Sequence, residues 1–134
     1  GSTALTKALG SEGSNVVITQ VVPHFLSSLK AVKEYRLALA LYGDASSPSF
    51  VSLEGYLSAK LFVKALKKAA AKNELTREGL INAFESMTSV DLGIEIPITI
   101  SNDNHQALGR VWPTKIKNRE VIPMNWNELK KEQL

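Results

Sequence analysis

SFVSLEGYLSA, at residues 49–59, is the most informative stretch of this chain. It reads as the end of an extended segment followed by a helix start, with Ser52 as the N-cap whose hydroxyl accepts from backbone N–H groups of the first turn. Glu54 then falls in that first turn, where a carboxylate complements the positive end of the helix dipole. Apolar residues recur beyond it at helical spacing, which predicts a helix over residues 53–71 with one buried face.

The segments on either side alternate between helical and extended patterns. In chain order they are a helix at 3–9, a strand at 16–22, a helix at 26–41, a helix after the N-cap Thr76, a strand at 94–100, and a hairpin of strands at 111–116 and 121–124. The strand at 16–22 is almost continuously apolar, as expected of a strand that is covered on both faces. The strand at 94–100 alternates strictly, and its four isoleucines predict one buried face. Alternating helices and strands indicate an α/β architecture.

Composition limits the classes of protein to which the chain can belong. Its 134 residues, of which 44% are hydrophobic and 22% charged, suit one domain with an ordinary core. The net charge of +3 is small and the basic residues are dispersed, unlike the basic stripe of a nucleic-acid binder, so we expect no nucleic acid or DNA partner. No apolar run reaches the length of a membrane span. The absence of cysteine excludes disulfides and thiolate-ligated zinc.

No constellation of catalytic or metal-ligating residues is recognisable in the sequence. His24 and His105 stand alone, without the helical pairing that zinc ligands show. The chain has neither a Gly-x-Ser-x-Gly elbow nor a phosphate-binding glycine loop. The acidic residues Asp91, Glu95 and Asp103 are better explained as solvated loop charges. We therefore expect a protein that is not an enzyme and that uses no metal or cofactor.

Five short motifs, taken in order, carry a resemblance to a known family. They are GSTALTKALG at 1–10, VVITQVVP at 16–23, LEGY at 53–56, DLG at 91–93 and HQ at 105–106. In this order they resemble the C-terminal part of bacterial extracellular solute-binding receptors of the branched-chain amino acid type. These receptors have the type I periplasmic binding protein fold and serve ABC transporters. The resemblance spans residues 1–124.

The resemblance implies an α/β segment that contributes helices and strands to both lobes of a bilobal receptor. The implied order is second-lobe segment 1–22, hinge crossing 23–25, first-lobe segment 26–100, hinge crossing 101–108, second-lobe hairpin 109–126 and polar tail 127–134. The chain begins without an initiator Met or a signal peptide, so we expect a piece of a longer parent.

The helices of the first-lobe segment would need a parallel sheet that this segment does not contain, because βαβ units bury helices on sheet faces. Left uncovered, the apolar stripes at 56–69 and 80–87 would be aggregation-prone patches. We therefore expect the missing N-terminal portion of the parent, or a second copy of the chain, to accompany this segment, unless it refolds compactly.

The resemblance also implies a set of ligand-binding residues, namely Ser2, Thr3, Gln20, Phe50 and Ser52. Ser2 and Thr3 lie in a turn that contributes to the cleft of the family, where leucine-type members carry an acidic residue and this chain has Thr3. Phe50 and Ser52 would lie at the end of a first-lobe strand, the edge at which parallel α/β sheets bind ligands. Each has a structural alternative: core packing for Phe50, helix capping for Ser52 and backbone pairing near the crossing for Gln20.

The implied function is that of the extracytoplasmic solute-binding component of an ABC uptake system. Such a protein is periplasmic or extracellular, and its two lobes close on an amino acid or a similar small carboxylate. Its partners would be that solute and the transporter permease. The alternative is a ligand-sensing domain of a signalling receptor with the same fold, and an α/β hydrolase-like enzyme is the third reading.

Overall fold

The computed structural model describes residues 1–43 and 45–131. The chain divides into two units, one made of Gly1–His24 with Arg110–Leu134 and the other of Phe25–Gly109. The elements in chain order are α1 (Ser2–Leu9), a 3-10 turn (Gly10–Gly13), β1 (Val17–Gln20), α2 (Lys30–Tyr42), α3 (Phe50–Ala71), α4 (Arg77–Glu85), β2 (Met87–Val90), β3 (Ile98–Ile100), β4 (Trp112–Lys117), β5 (Glu120–Pro123) and α5 (Trp126–Lys131). Within the described ranges, none of these helices has both the length and the apolar character that crossing a bilayer requires.

The first unit is built on a three-stranded antiparallel sheet in the order β1-β4-β5. The hairpin of β4 and β5 was predicted and is confirmed, with Lys117 opposite Glu120. Its two turn residues, Asn118 and Arg119, both have positive φ, at 51° and 64°. That is the geometry of a two-residue type I′ turn, whose twist matches that of the flanking strands. The hairpin therefore closes tightly without a glycine.

β1 is shorter than the predicted strand at 16–22 and pairs antiparallel with β4, from Val17 opposite Lys115 to Gln20 opposite Trp112. Two of its residues are half-buried and Thr19 is exposed. The expectation of a strand covered on both faces is therefore wrong for the described chain. β1 is the edge strand of an antiparallel sheet, which needs only one covered face.

The second unit consists of three helices, α2, α3 and α4, and the antiparallel pair of β2 and β3. α3 contacts both other helices. Leu53, Leu57, Ala65 and Ala69 recur along α3 at helical spacing and are all buried. Part of the stripe expected to need an outside sheet is thus covered by α2 and α4 of the same chain.

The start of α3 differs from the prediction. Ser49 is the N-cap, and its Oγ accepts from the backbone N–H of Ser52 at 3.2 Å. Phe50, predicted as extended, is therefore helical, and Glu54 lies beyond the first turn. Both serines are chemically suited to capping, but the N–H of Ser49 also donates to the Tyr35 hydroxyl at 3.0 Å. That tertiary hydrogen bond, which local sequence does not reveal, favours Ser49.

The predicted strand at 94–100 is reduced to the three residues of β3. Glu95 has φ of 72°, which interrupts an extended run. Ile94, Ile98 and Ile100 are nevertheless buried, as the alternation predicted. β3 pairs with β2, a strand that was not predicted, with Met87 opposite Ile100.

Two helix starts in the second unit compare differently with the sequence prediction. Thr76 caps α4 as predicted, its Oγ1 accepting from Gly79 N–H at 3.0 Å. α2 begins at Lys30 rather than at residue 26, because Leu29 has an extended ψ of 145°.

The polar tail predicted at 127–134 is helical through Lys131 in α5, and residues 132–134 lie outside the described part of the chain.

Several large apolar side chains remain exposed on α2 and α3. Leu37, Leu41 and Val51 are 67%, 73% and 72% exposed. These residues lie outside the stripes that the sequence had singled out. They form apolar surface on the second unit that its own elements leave uncovered.

Candidate functional site

A cluster of three hydroxyl groups lies at the start of α3, and we call Tyr35, Ser49 and Ser52 the hydroxyl cluster. The Ser52 Oγ lies 2.5 Å from the Tyr35 Oη and 3.0 Å from the Ser49 Oγ. Tyr35 is only 2% exposed and projects from the buried side of α2, which also carries Ala31 and Val32. The packing of α2 against α3 therefore fixes the position of Ser52 through a phenol held in the core.

Phe50 lies between Ser49 and Ser52 of this cluster in the sequence and is 8% exposed. Its ring meets that of Phe25 edge-on, with centroids 4.9 Å apart and an interplanar angle of 78°. Such T-shaped pairs are the favoured geometry of aromatic contacts. Phe50 thus has a packing role within the second unit, and its contact with a ligand stays a prediction.

Ser2 and Thr3 lie in the first turn of α1. Ser2 is half-buried and its carbonyl accepts from the Thr6 Oγ1 at 2.8 Å, whereas Thr3 is exposed. The helix has Gly1 as its N-cap, which supplies no side-chain hydrogen bond. The hydroxyls of Ser2 and Thr3 are therefore not needed as the cap of α1, and their contact with a ligand also stays a prediction.

Gln20 is buried at the end of β1, where it is 8% exposed. Its Nε2 donates to the Thr114 Oγ1 at 3.3 Å, and Thr114 in turn donates to the Ile18 carbonyl at 2.7 Å. This chain of hydrogen bonds connects β1 and β4 through side chains. Gln20 therefore has a structural role in the sheet of the first unit.

The structure groups the five predicted site residues by unit. Phe50 and Ser52 share the first turn of α3 in the second unit. In the first unit, Ser2 and Thr3 belong to α1, which contacts β5, while Gln20 lies in β1 at the other edge of the sheet. Sequence reasoning missed Tyr35, whose helical spacing indicated only that it was buried.

Metal-ligating side chains are not clustered in the described ranges 1–43 and 45–131. No group of three or more His, Asp or Glu side chains there could hold a metal ion. The His105 Nε2 lies 2.9 Å from the Glu85 Oε1 in a solvent-exposed pair. Exposed pairs of this kind contribute little to stability.

The two units each combine helices with a small antiparallel sheet, so the chain is of mixed helix and strand composition. Comparison with family sequence profiles identifies the class, since the periplasmic binding protein profile matches residues 2–120. The chain belongs to the periplasmic binding protein family. The family and the type I fold predicted from the sequence motifs are thereby confirmed.

Solved structures resemble the chain over most of its length. A possible leucine/isoleucine/valine-binding protein from Rhodopirellula baltica is 40% identical, with a TM-score of 0.87, and the match covers 96% of this chain and 34% of that protein. A branched-chain amino acid ABC transporter protein from Thermus thermophilus with bound valine is 16% identical, with a TM-score of 0.72 over 93% of this chain and 36% of its own. A fatty acid ABC transporter substrate-binding protein from Thermomonospora curvata is 24% identical, with a TM-score of 0.67 over 91% and 39%.

The two more distant structures show likeness of fold alone. The chain spans about a third of the length of the solved structures that it matches. This partial coverage is consistent with the predicted C-terminal segment of a longer fold. No curated protein sequence matches the chain.

Proposed function

We propose that the chain is part of the extracytoplasmic solute-binding component of an ABC uptake system, which binds an amino acid or a similar small carboxylate and is not an enzyme. The observation that carries this proposal is the 40% identity, over 96% of the chain, to a possible leucine/isoleucine/valine-binding protein. The family consists of binding proteins, which supports the proposal that the chain is not an enzyme. The protein acts in the periplasm or outside the cell and delivers its solute to a permease.

The two units correspond to segments of two lobes in this proposal. Gly1–His24 with Arg110–Leu134 contributes to the second lobe and Phe25–Gly109 to the first. The hinge crossings predicted at 23–25 and 101–108 stay a prediction. The solved relatives are between two and three times as long as this chain. The remaining portion of a longer parent covers the exposed residues Leu37, Leu41 and Val51.

The solute is held by polar groups from both segments. Ser52 presents a hydroxyl that the hydroxyl cluster keeps in place, and Phe50 lies beside it at the start of a 22-residue helix. A helix start favours negative charge, which suits the carboxylate of an amino acid. Ser2, Thr3 and Gln20 contribute from the other segment. Because leucine-type receptors carry an acid where this chain has Thr3, the solute is one that does not depend on an ion pair to its ammonium group there.

A thermal-shift screen of the complete receptor that carries this segment tests the proposal. The screen compares amino acids and aromatic acids with their amides, which lack the carboxylate. A solute present at 100 times its dissociation constant should stabilise the folded receptor by about 2.7 kcal/mol. We expect stabilisation by at least one carboxylate and none by its amide.

The contribution of Ser52 is tested by comparing Ser52→Ala with Ser58→Ala. Ser58 lies on the same helix and is exposed, so it controls for the loss of a serine hydroxyl from α3. Removing a hydrogen bond to a carboxylate costs about 1.5–3 kcal/mol, so we expect the Ser52 variant to bind at least tenfold more weakly and the Ser58 variant to bind normally. No stabilisation by any solute, in a receptor shown to be folded, would contradict the proposed function.

A further inference from the structure

The first unit contains a cavity of about 300 Å³ at the end of its sheet where β1 ends and β4 begins. Cavities that hold small molecules in proteins measure roughly 300–1,000 Å³, so this one suits a ligand of about one ring. Trp112, Trp126 and Met124 are among its walls. None of the five residues predicted from the sequence as ligand-binding lines it.

The acceptor side chains at this cavity are engaged with the protein itself. The Glu128 Oε1 accepts from the Asn125 backbone N–H and its Oε2 from the Lys115 Nζ, both at 2.9 Å. The Thr114 Oγ1 accepts from Gln20 and donates to the Ile18 carbonyl.

The negative charge of Glu128 is paired with the positive charge of Lys115. The hydrogen bond from the Asn125 N–H, followed by that from Lys115, holds the pKa of the Glu128 carboxyl below its ordinary value. Glu128 is therefore ionised at neutral pH, and Lys115 lies directly against it. This carboxylate is already paired and offers little attraction to a cationic ligand.

The polar side-chain groups at the cavity that remain available to a ligand are hydrogen-bond donors. Arg110 has no ion-pair partner among the described residues, and its Cζ lies 5.8 Å from the centroid of the Trp112 ring. The Asn125 Oδ1 accepts from the Asn127 N–H at 3.0 Å, which leaves the amide NH₂ of Asn125 to donate. A guanidinium offers a fork of N–H groups that matches a carboxylate.

His24 also lines the cavity, but its Nε2 does not add a hydrogen-bond acceptor for a ligand. Its Nε2 lies 2.9 Å from the Val121 carbonyl oxygen. A carbonyl can only accept, so the Nε2 must carry the proton and donate it there. The cavity therefore combines aromatic walls with one cation, Arg110, that has no ion-pair partner among the described residues.

We propose that this cavity is a binding site for a small aromatic carboxylate, with Arg110 meeting the carboxylate and Trp112 and Trp126 contacting the ring. The aromatic ring of such a ligand stacks on indole faces, and its carboxylate accepts hydrogen bonds from the Arg110 guanidinium. Nothing in the proposed solute-binding role requires this site. A receptor could lose either function and keep the other.

Intrinsic fluorescence reports directly on this site, because Trp112 and Trp126 are the two tryptophans of the 134-residue chain and both line the cavity. The chain is titrated with benzoate, with neutral benzamide of the same shape, and with acetate, which has the charge without the ring. We expect saturable fluorescence change with benzoate, at least tenfold weaker binding of benzamide, and no change with acetate. Isothermal titration calorimetry with benzoate provides a measurement independent of fluorescence.

Two arginine variants decide whether Arg110 carries the recognition. Arg110→Gln should weaken benzoate binding at least tenfold and leave benzamide binding unchanged. Arg119→Gln removes the same charge from the β4–β5 turn, outside the cavity, and should bind benzoate as the parent chain does. Far-UV circular dichroism of each variant establishes that the helices are retained.

Any of three results would overturn the proposal. The first is no saturable benzoate binding by fluorescence and calorimetry to the folded chain. The second is equal binding of benzoate and benzamide. The third is equal weakening by the Arg110 and Arg119 substitutions, which would indicate a general charge effect rather than a built site.

Discussion

Replacing Tyr35 by Phe should destabilise the second unit by about 2 kcal/mol while changing its shape very little. Tyr35 is 2% exposed, so the ring stays in the core and only the hydroxyl is removed. That hydroxyl accepts from the Ser49 N–H at 3.0 Å and shares a hydrogen bond of 2.5 Å with the Ser52 Oγ. The substitution therefore isolates the contribution of the hydroxyl cluster.

The magnitude follows from which groups lose a partner. The Ser52 Oγ keeps the Ser49 Oγ at 3.0 Å, so its loss is that of one ordinary hydrogen bond, worth about 0.5–1.5 kcal/mol. The Ser49 N–H, which is half-buried, loses its acceptor, and an unsatisfied donor costs about 1–3 kcal/mol. Together these losses lead to the expected 2 kcal/mol, at the lower end of their sum because water can reach a half-buried group.

Urea unfolding followed by far-UV circular dichroism measures this loss, since α2, α3 and α4 all belong to the second unit. Tyr42→Phe is the matched control, because Tyr42 lies on the same helix and is 84% exposed. A difference below about 0.5 kcal/mol between the two variants would show that the Tyr35 hydroxyl does not stabilise the second unit. A double-mutant cycle with Ser52→Ala should show a coupling of at least about 0.5 kcal/mol, as expected for residues in direct contact.

Four further outcomes follow from backbone geometry and charge. Gly79→Ala should destabilise the chain by about 1–3 kcal/mol in urea unfolding, because an added Cβ would lie 2.0 Å from the Glu74 carbonyl oxygen. Gly55→Ala, where nothing lies within 4 Å, should instead stabilise α3 by about 0.5–1 kcal/mol in the same assay. Arg119→Gly should raise the thermal unfolding midpoint, since φ of 64° costs an arginine about 1 kcal/mol and costs glycine almost nothing. The pKa of Glu128 is lowered in the folded chain. Its stabilisation of α5 is therefore present above the ordinary pKa of a glutamate and is lost as pH falls through the folded pKa. Tryptophan fluorescence measured against pH should show this step, and Glu128→Gln should abolish it.

Local chemistry in the sequence determined those features that depend on neighbouring residues. Thr76 was predicted as the cap of α4 because its hydroxyl needs only the N–H three residues ahead. The β4–β5 hairpin was predicted from two extended runs separated by a short polar turn. The order of short motifs along the chain indicated the periplasmic binding protein family, which the family profile confirms. The roles of Ser2, Thr3, Gln20, Phe50 and Ser52 in solute binding stay predictions that the binding experiments test.

Tertiary contacts decided what neighbouring residues left open. Ser49 and Ser52 are equally able to cap a helix, and the Tyr35 hydroxyl, from a different helix, favours Ser49. The cavity of the first unit joins Trp112 and Trp126 to His24, which is far away in the chain and comes close only when β1 pairs with β4. Hydrogen bonds within one turn act over three or four residues and can be read from the sequence. Contacts between elements depend on how the whole chain packs, and for that reason only the three-dimensional structure revealed them.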